Sequence, residues 1–267
     1  MRDLRRWSSL LIGAVVAAHG HVAGQDWSAP ADTLALTSAM LDLSLIRPGT
    51  AVFRAYELPC PFSPGRAPRQ FGVMREEVRW VERGDSTKIL QITRRPLLHG
   101  ALALDSSLYD GRTLTPVWWH GHVGSLFVEM LFGTDSVAWR VEQPKRRTDS
   151  GGARIPIGAY SVGSDRLLVR ALKNPQAFVP KLAKLTFVDM PTPWTDVAFE
   201  GYLGVAEADS IPFPGARAQR AWAIALGSGA DKVFFVEPGT HELLGWEEAE
   251  QEGTCPLRYV RVPETRK

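Results

Sequence analysis

Cysteine is scarce in this chain: Cys60 and Cys255 are the only two in 267 residues. They form no Cys-x-x-Cys pair and no histidine lies near either in sequence, which excludes a dithiol redox centre and a zinc ribbon. A Gly-x-Ser-x-Gly elbow is also missing, so a serine nucleophile of that kind has no support, and Ser125 after Gly124 reads as a turn serine. Gly227-Ser228-Gly229 lacks the Gly-Lys-Ser/Thr ending of a phosphate loop and precedes a strand pattern. No apolar run approaches the ~18 residues of a spanning helix, so an integral membrane protein is not expected. Charge of one sign is lacking too. Lys plus Arg number 31 against 29 Asp plus Glu, and the excess lies before residue 25, where Arg2, Arg5 and Arg6 face Asp3 alone. A neutral remainder without a basic stripe releases few counterions, so no nucleic-acid partner is expected.

Residues 1–24 carry a secretory signal pattern. Arg2, Arg5 and Arg6 form a positive start, Leu10–Ala18 a short apolar stretch, and Val22 and Gly24 precede a cleavage site before Gln25. No cysteine follows that stretch to take a lipid. The expectation is one domain over residues 25–267, soluble and exported to a periplasm or beyond. In such an oxidising compartment, Cys60 and Cys255 are expected to be bridged. Closing so long a loop stabilises by at most about 5 kcal/mol in the chain-entropy model.

The mature sequence opens with a helical pattern over residues 28–47. Ser28 suits the cap, Pro30 the first turn and Asp32 the positive end of the dipole. Leu36, Met40 and Leu43 make one apolar stripe and Leu34, Leu41 and Leu45 another, which predicts a helix enclosed by other structure. Pro48-Gly49 ends it. From there to residue 263 the period is two. Val137, Trp139 and Val141 alternate with Ala138, Arg140 and Glu142, as in a half-buried antiparallel strand. Asp110-Gly111 marks a hairpin. A polar, Gly-rich interruption over 144–165 predicts a flexible loop, and 165–174 a short helix stopping before Pro175. Recurrent turn signals predict a single mainly-β domain, sandwich or barrel.

Histidines and tryptophans supply the candidate chemistry. His120-Gly121-His122 places two imidazoles on one face of a strand, and a metal would need a third ligand such as Glu129 or His99. Two ligands alone select no metal, so solvated turn histidines are the plainer reading and no cofactor is expected. Trp118 and Trp119 must face opposite sides of one strand, so at least one leaves the main core, to line a ligand concavity or sit under a loop. Lys145-Arg146-Arg147 reads as a solvated basic run, with contact to anionic lipid or polysaccharide as the alternative. The adjacent acids Glu76-Glu77 and Glu247-Glu248 point to opposite faces and make no glycosidase pair by themselves.

Several short motifs fall in a recognisable order. Asp110 is followed by Thr113-Leu114-Thr115-Pro116, then Phe199-Glu200-Gly201-Tyr202-Leu203-Gly204, then Pro214-Gly215 leading into a strand. Phe234-Phe235-Val236-Glu237 and His241 to Trp246 close the series. Over roughly residues 70–250 this resembles an exported bacterial domain-of-unknown-function family, the one numbered thirty-one-zero-eight. The resemblance implies a lipoprotein-carrier-like fold: a curved, incompletely closed antiparallel sheet or barrel, with the N-terminal helix packed against or inside it, and a hydrophobic concavity. It carries no catalytic residues. Glu247 and Glu248 stand after Trp246 where the family has a basic residue. The expected function is a non-enzymatic envelope binding or assembly factor for a lipidic or amphipathic ligand, with Met40, Trp118 and Trp119 as ligand-binding candidates. Other envelope proteins are possible partners. The alternatives are an envelope hydrolase, and an interaction module that works by strand addition.

Overall fold

The computed structural model describes residues 33–60, 65–97, 100–123, 125–144, 148–179, 182–189, 198–227, 232–249 and 255–263. The expected signal segment and its cleavage site lie outside them, as do His99, Trp194 and Lys145-Arg146-Arg147.

One 16-stranded sheet accounts for most of the described chain. A short β1 (Thr33–Ala35) precedes a long antiparallel meander. Its members are β2 (Gly49–Glu57), β3 (Arg69–Arg83), β4 (Ser86–Pro96), β5 (Leu102–Asp110), β6 (Pro116–Val123), β7 (Leu126–Phe132), β8 (Ser136–Glu142) and β9 (Asp149–Arg154). The chain then makes β10 (Tyr160–Ser161) and the one α-helix among the described residues, α1 (Asp165–Ala171). A second meander follows: β11 (Leu182–Val188), β12 (Ala198–Ile211), β13 (Gln219–Gly227), β14 (Lys232–Val236), β15 (Leu243–Glu248) and β16 (Leu257–Arg261). β16 pairs antiparallel with β2, which fuses the two meanders. β1 and β10 both run parallel to β11, so the sheet is mixed at that edge.

Alternation decides which way each strand faces. In β3, Met74, Glu76 and Val78 are buried while Arg75 and Arg79 are exposed. The inward residues of β2, β4, β5 and β11–β16 converge on one core, and α1 lies inside it with all seven residues buried. Phe234 and Tyr259 stack on Trp246 there, Tyr259 at 4.3 Å between centroids, and Phe53 meets the Trp246 ring edge-on. A second cluster, including Phe213, Phe235 and Leu244, covers the other face of β13–β16.

The sheet does not close into a barrel. Its two ends are β1 and β9, which are not hydrogen-bonded to each other. Side chains bridge the seam instead: Val188 of β11 joins Val128, Met130, Val137 and Ile155 in a third apolar cluster.

The predicted N-terminal helix is not formed over residues 33–47; residues 28–32 lie outside the described chain. That stretch is β1 followed by two single 3-10 turns, Ser38–Met40 and Leu43–Leu45. The interior is already occupied by α1, against which the segment docks in extended form. Asp42 N donates to the Ala171 carbonyl at 2.7 Å, Lys173 N donates to the Met40 carbonyl at 3.1 Å, and Leu36 N donates to the Lys184 carbonyl at 2.9 Å. Asp42 also accepts from Ser44 N, a local side-chain bond that competes with a helix. Tertiary pairing has overridden a weak propensity. The predicted loop over 144–165 likewise contains β9 and β10. Polar, Gly-rich β9 survives because the Trp139 ring covers it: a Cβ on Gly151 would lie 2.4 Å from that ring. The short helix expected at 165–174 is present as α1.

Candidate functional site

Charge is concentrated where a β-sheet protein would ordinarily be apolar. Glu76 points inward from β3 and is fully enclosed. Its Oε1 accepts from Arg166 Nε at 2.8 Å and from Gln91 Nε2 at 2.7 Å, and Arg170 Nη2 lies 3.2 Å from Oε2. Arg166 and Arg170 stand four residues apart on α1, so one helix face presents both guanidinium groups. Arg166 also donates to Thr93 Oγ1 at 3.1 Å and lies 5.5 Å from the centre of the Trp246 ring. Asp165, at the start of α1, accepts from Lys232 Nζ at 2.5 Å. The network thus ties α1 to β3, β4 and β14.

Burial by itself would neutralise these groups, and their neighbours decide which stay charged. For Glu76, burial disfavours the anion, but Arg170 and Arg166 outweigh it and hold the carboxyl below its ordinary range. Asp165 behaves alike, with Lys232 and Arg166 overcoming burial. Asp105 of β5 goes the other way. Its burial prevails over Arg166 and Arg95 and raises it, so it keeps a proton to higher pH than an ordinary aspartate. Asp105, Arg95, Lys232 and Trp119 line a cavity of about 170 Å³ against the seam residues Met130 and Val188.

The open seam produces a larger cleft of about 640 Å³. Leu36, Val117, Phe132, Ile155, Ile157 and Tyr160 form its apolar walls, and Asp110, Thr113 and Thr115 supply polar groups. Ile157 is 78% exposed, the most exposed of the large apolar side chains among the described residues. Gly158 at φ +79° turns the chain behind it, and Ala159 N donates to the Pro156 carbonyl at 3.2 Å. On the opposite wall, Asp110 Oδ1 accepts from Arg112 N at 2.9 Å, Thr113 N at 3.1 Å and Thr113 Oγ1 at 3.1 Å. This turn holds fully buried Leu114 at φ +61°. The Asp110-to-Pro116 motif is therefore a structural turn that shapes one lip of the cleft.

The residues singled out from sequence are scattered rather than gathered. Met40 is half-buried against the main core and lines no cavity named above. Trp119 faces inward at the seam, whereas Trp118 faces outward and stacks on His120 at 4.7 Å between centroids. His120 and His122 do share the outer face of β6, and Glu129 stands opposite His120 on β7. His122 packs on Phe127 at 4.7 Å. Among the described residues no group of three or more His, Cys, Asp or Glu is placed to hold a metal ion. Glu247 and Glu248 do not disturb the last strands: Glu247 pairs with buried Arg258, and Glu248 accepts from Trp246 Nε1 at 3.2 Å. Cys60 and Cys255 are joined, their Cα atoms 4.8 Å apart. Sequence reasoning missed Glu76, Arg166, Arg170 and Ile157. A signal existed for Glu76, since the alternation of Met74 and Val78 puts it on the apolar face.

No helix among the described residues is long and apolar enough to cross a membrane. No family model matches the chain. No curated protein matches it either. Among solved structures it is similar to a beta-barrel-like protein of domain of unknown function DUF1849 from Brucella abortus. The two are 11% identical with a TM-score of 0.48, over 80% of this chain and 95% of that one.

Proposed function

We propose that this protein is an exported, non-enzymatic binding protein of the bacterial envelope, which holds an amphipathic, acyl-chain-bearing ligand in the seam cleft. The observation that carries this reading is the cleft itself. It is about 640 Å³ in volume, walled by aliphatic and aromatic side chains, edged by Asp110, Thr113 and Thr115, and left open because β1 and β9 do not pair. Ligand sites are commonly 300–1,000 Å³, mostly apolar, with a few placed polar groups. Ile157 stands on this wall with Leu36, Val117, Phe132 and Ile155, so the apolar surface is continuous rather than a lone side chain. The interior proper is filled by α1 and its ion pairs, so the ligand belongs at the seam and not within the sheet's curvature. Export is supported by the signal pattern of residues 1–24.

Two measurements test this. A fluorescent long-chain fatty acid should bind saturably to the purified protein, and Ile157→Asp should weaken binding about tenfold or more, equivalent to ~1.4 kcal/mol. Charged replacement of Met40, which is outside the cleft, should have less effect. Absence of saturable binding in the folded protein would eliminate the cleft as an acyl-chain site and favour strand addition at the exposed edge of β9. Separately, the N-terminus of protein recovered from the cell envelope should lie near Gln25. An intact Met1 there would remove the case for cleavage.

A further inference from the structure

A third cavity, sharing no lining residue with the seam cleft, sits beside the C-terminal half of α1 between the start of β2 and the β14–β15 turn. Its volume is about 160 Å³. Three arginines reach it: Arg170 from the interior, Arg261 from β16 and Arg47 at the mouth. Two carboxylates share the site. Glu76 is already engaged by Arg166 and Gln91 through Oε1, and Glu242 lies 3.1 Å from Arg261 and 3.8 Å from Arg47. The formal balance is one positive charge in excess. Burial, together with the guanidinium groups of Arg166 and Arg261, holds Arg170 below its ordinary range, so an added anion would relieve it.

Hydrogen bonding at this point is incomplete. Arg170 Nη2 and Glu76 Oε2 face each other at 3.2 Å as an ion pair without a hydrogen bond, and His241 Nδ1 has none either. A guanidinium carries five N–H donors, so Arg170 keeps capacity for a further acceptor. His241 lines the cavity from the β14–β15 turn, where Glu237 N donates to the Glu242 carbonyl at 2.9 Å and His241 N to the Glu237 carbonyl at 3.1 Å, holding His241 at φ +57°.

We propose that this cavity binds a short-chain carboxylate monoanion. Its single excess positive charge suits a monoanion better than a phosphate dianion. Planar guanidinium groups match a carboxylate in geometry as well as charge. Leu45 and Val78 complete the wall with aliphatic surface, suited to a short hydrocarbon stub. A cavity of about 150 Å³ holds a benzene-sized molecule, so a four-carbon acid fits.

The test is calorimetric titration of the purified protein with sodium butyrate, with chloride and inorganic phosphate as matched arms. Saturable one-to-one butyrate binding is expected, with Arg261→Gln weakening it about tenfold, since one charge-assisted contact and the excess positive charge are both lost. His241→Asn tolerates the left-handed backbone and removes the imidazole, and it should weaken binding as well. Arg154→Gln, on the exposed edge of β9, should leave it unchanged. Ile157→Asp should also leave it unchanged, which separates this site from the seam cleft. The proposal is overturned if folded protein shows no butyrate binding, as expected of a cavity that holds water alone. It is equally overturned if phosphate or chloride binds as tightly, or if neither Arg261→Gln nor His241→Asn alters the affinity.

Discussion

Replacing Glu76 with alanine is expected to lower the unfolding free energy by about 3–5 kcal/mol, the range for removing one partner of a buried ion pair. The cost arises less from the contact removed than from what is left behind. Arg166 and Arg170 would stay enclosed with their principal counter-ion gone, and Gln91 would lose its acceptor. Denaturant titration of the variant should show a reduced midpoint with a similar slope. Glu76→Gln retains an acceptor for Arg166 and should fall between the two. A pH series gives a second reading. Glu76 and Asp165 both lie below their ordinary values of 4.5 and 3.8 in the folded protein. Their contribution is therefore present above those ordinary values and lost as pH falls through the lower folded ones. Wild-type stability should decline in acid from about pH 4.5 downward, and the Glu76→Ala profile should be flatter over the same window. A variant as stable as wild type at neutral pH would show that the network contributes no such interaction.

Reduction of the Cys60–Cys255 bond is expected to have the other large effect. The two residues are 195 positions apart, so in the chain-entropy model the bridge stabilises by about 5 kcal/mol. For a chain of this size that corresponds to a fall in melting temperature of roughly 10–20 °C. The β signature should nevertheless persist in the reduced protein. The bond lies at the end of a ladder that exists without it: β2 and β16 pair from Glu57 with Leu257 to Phe53 with Arg261, and Leu58 N donates to the Pro256 carbonyl at 2.8 Å. The bridge restrains the unfolded chain while strand pairing supplies the folded geometry. Circular dichroism and thermal melts with and without reductant, alongside a double Cys→Ser variant, check both statements. An unchanged melting temperature would refute the entropic estimate, and loss of the sheet signal on reduction would refute the secondary role of the bond.

The sequence by itself determined the strands of the two meanders apart from β9, and the covalent staple. Period-two alternation is a local property of five to ten residues, so a segment such as Ser136–Glu142 declared both its conformation and its buried face. The short helix before Pro175 was equally legible, and two cysteines in a chain with an export pattern left one natural pairing. The tertiary structure alone decided what occupies the sheet's interior. The leucines of residues 34–45 satisfy a helical stripe on paper, yet α1 holds the central position because its two arginines find Glu76 on β3, Arg166 also finds Thr93 on β4, and its Asp165 finds Lys232 on β14. Those partners lie far off in sequence and on separate strands: Arg166 and Glu76 are separated by 90 positions, Arg166 and Thr93 by 73, and Asp165 and Lys232 by 67. No local period encodes such a convergence. The same holds for both cavities: the seam cleft exists because β1 and β9 fail to meet, and the arginine-lined cavity exists where β2, β16 and the β14–β15 turn surround the end of α1. Each is a product of how distant edges are spaced once the sheet has curled, which is set by the packing of the whole core rather than by any one segment.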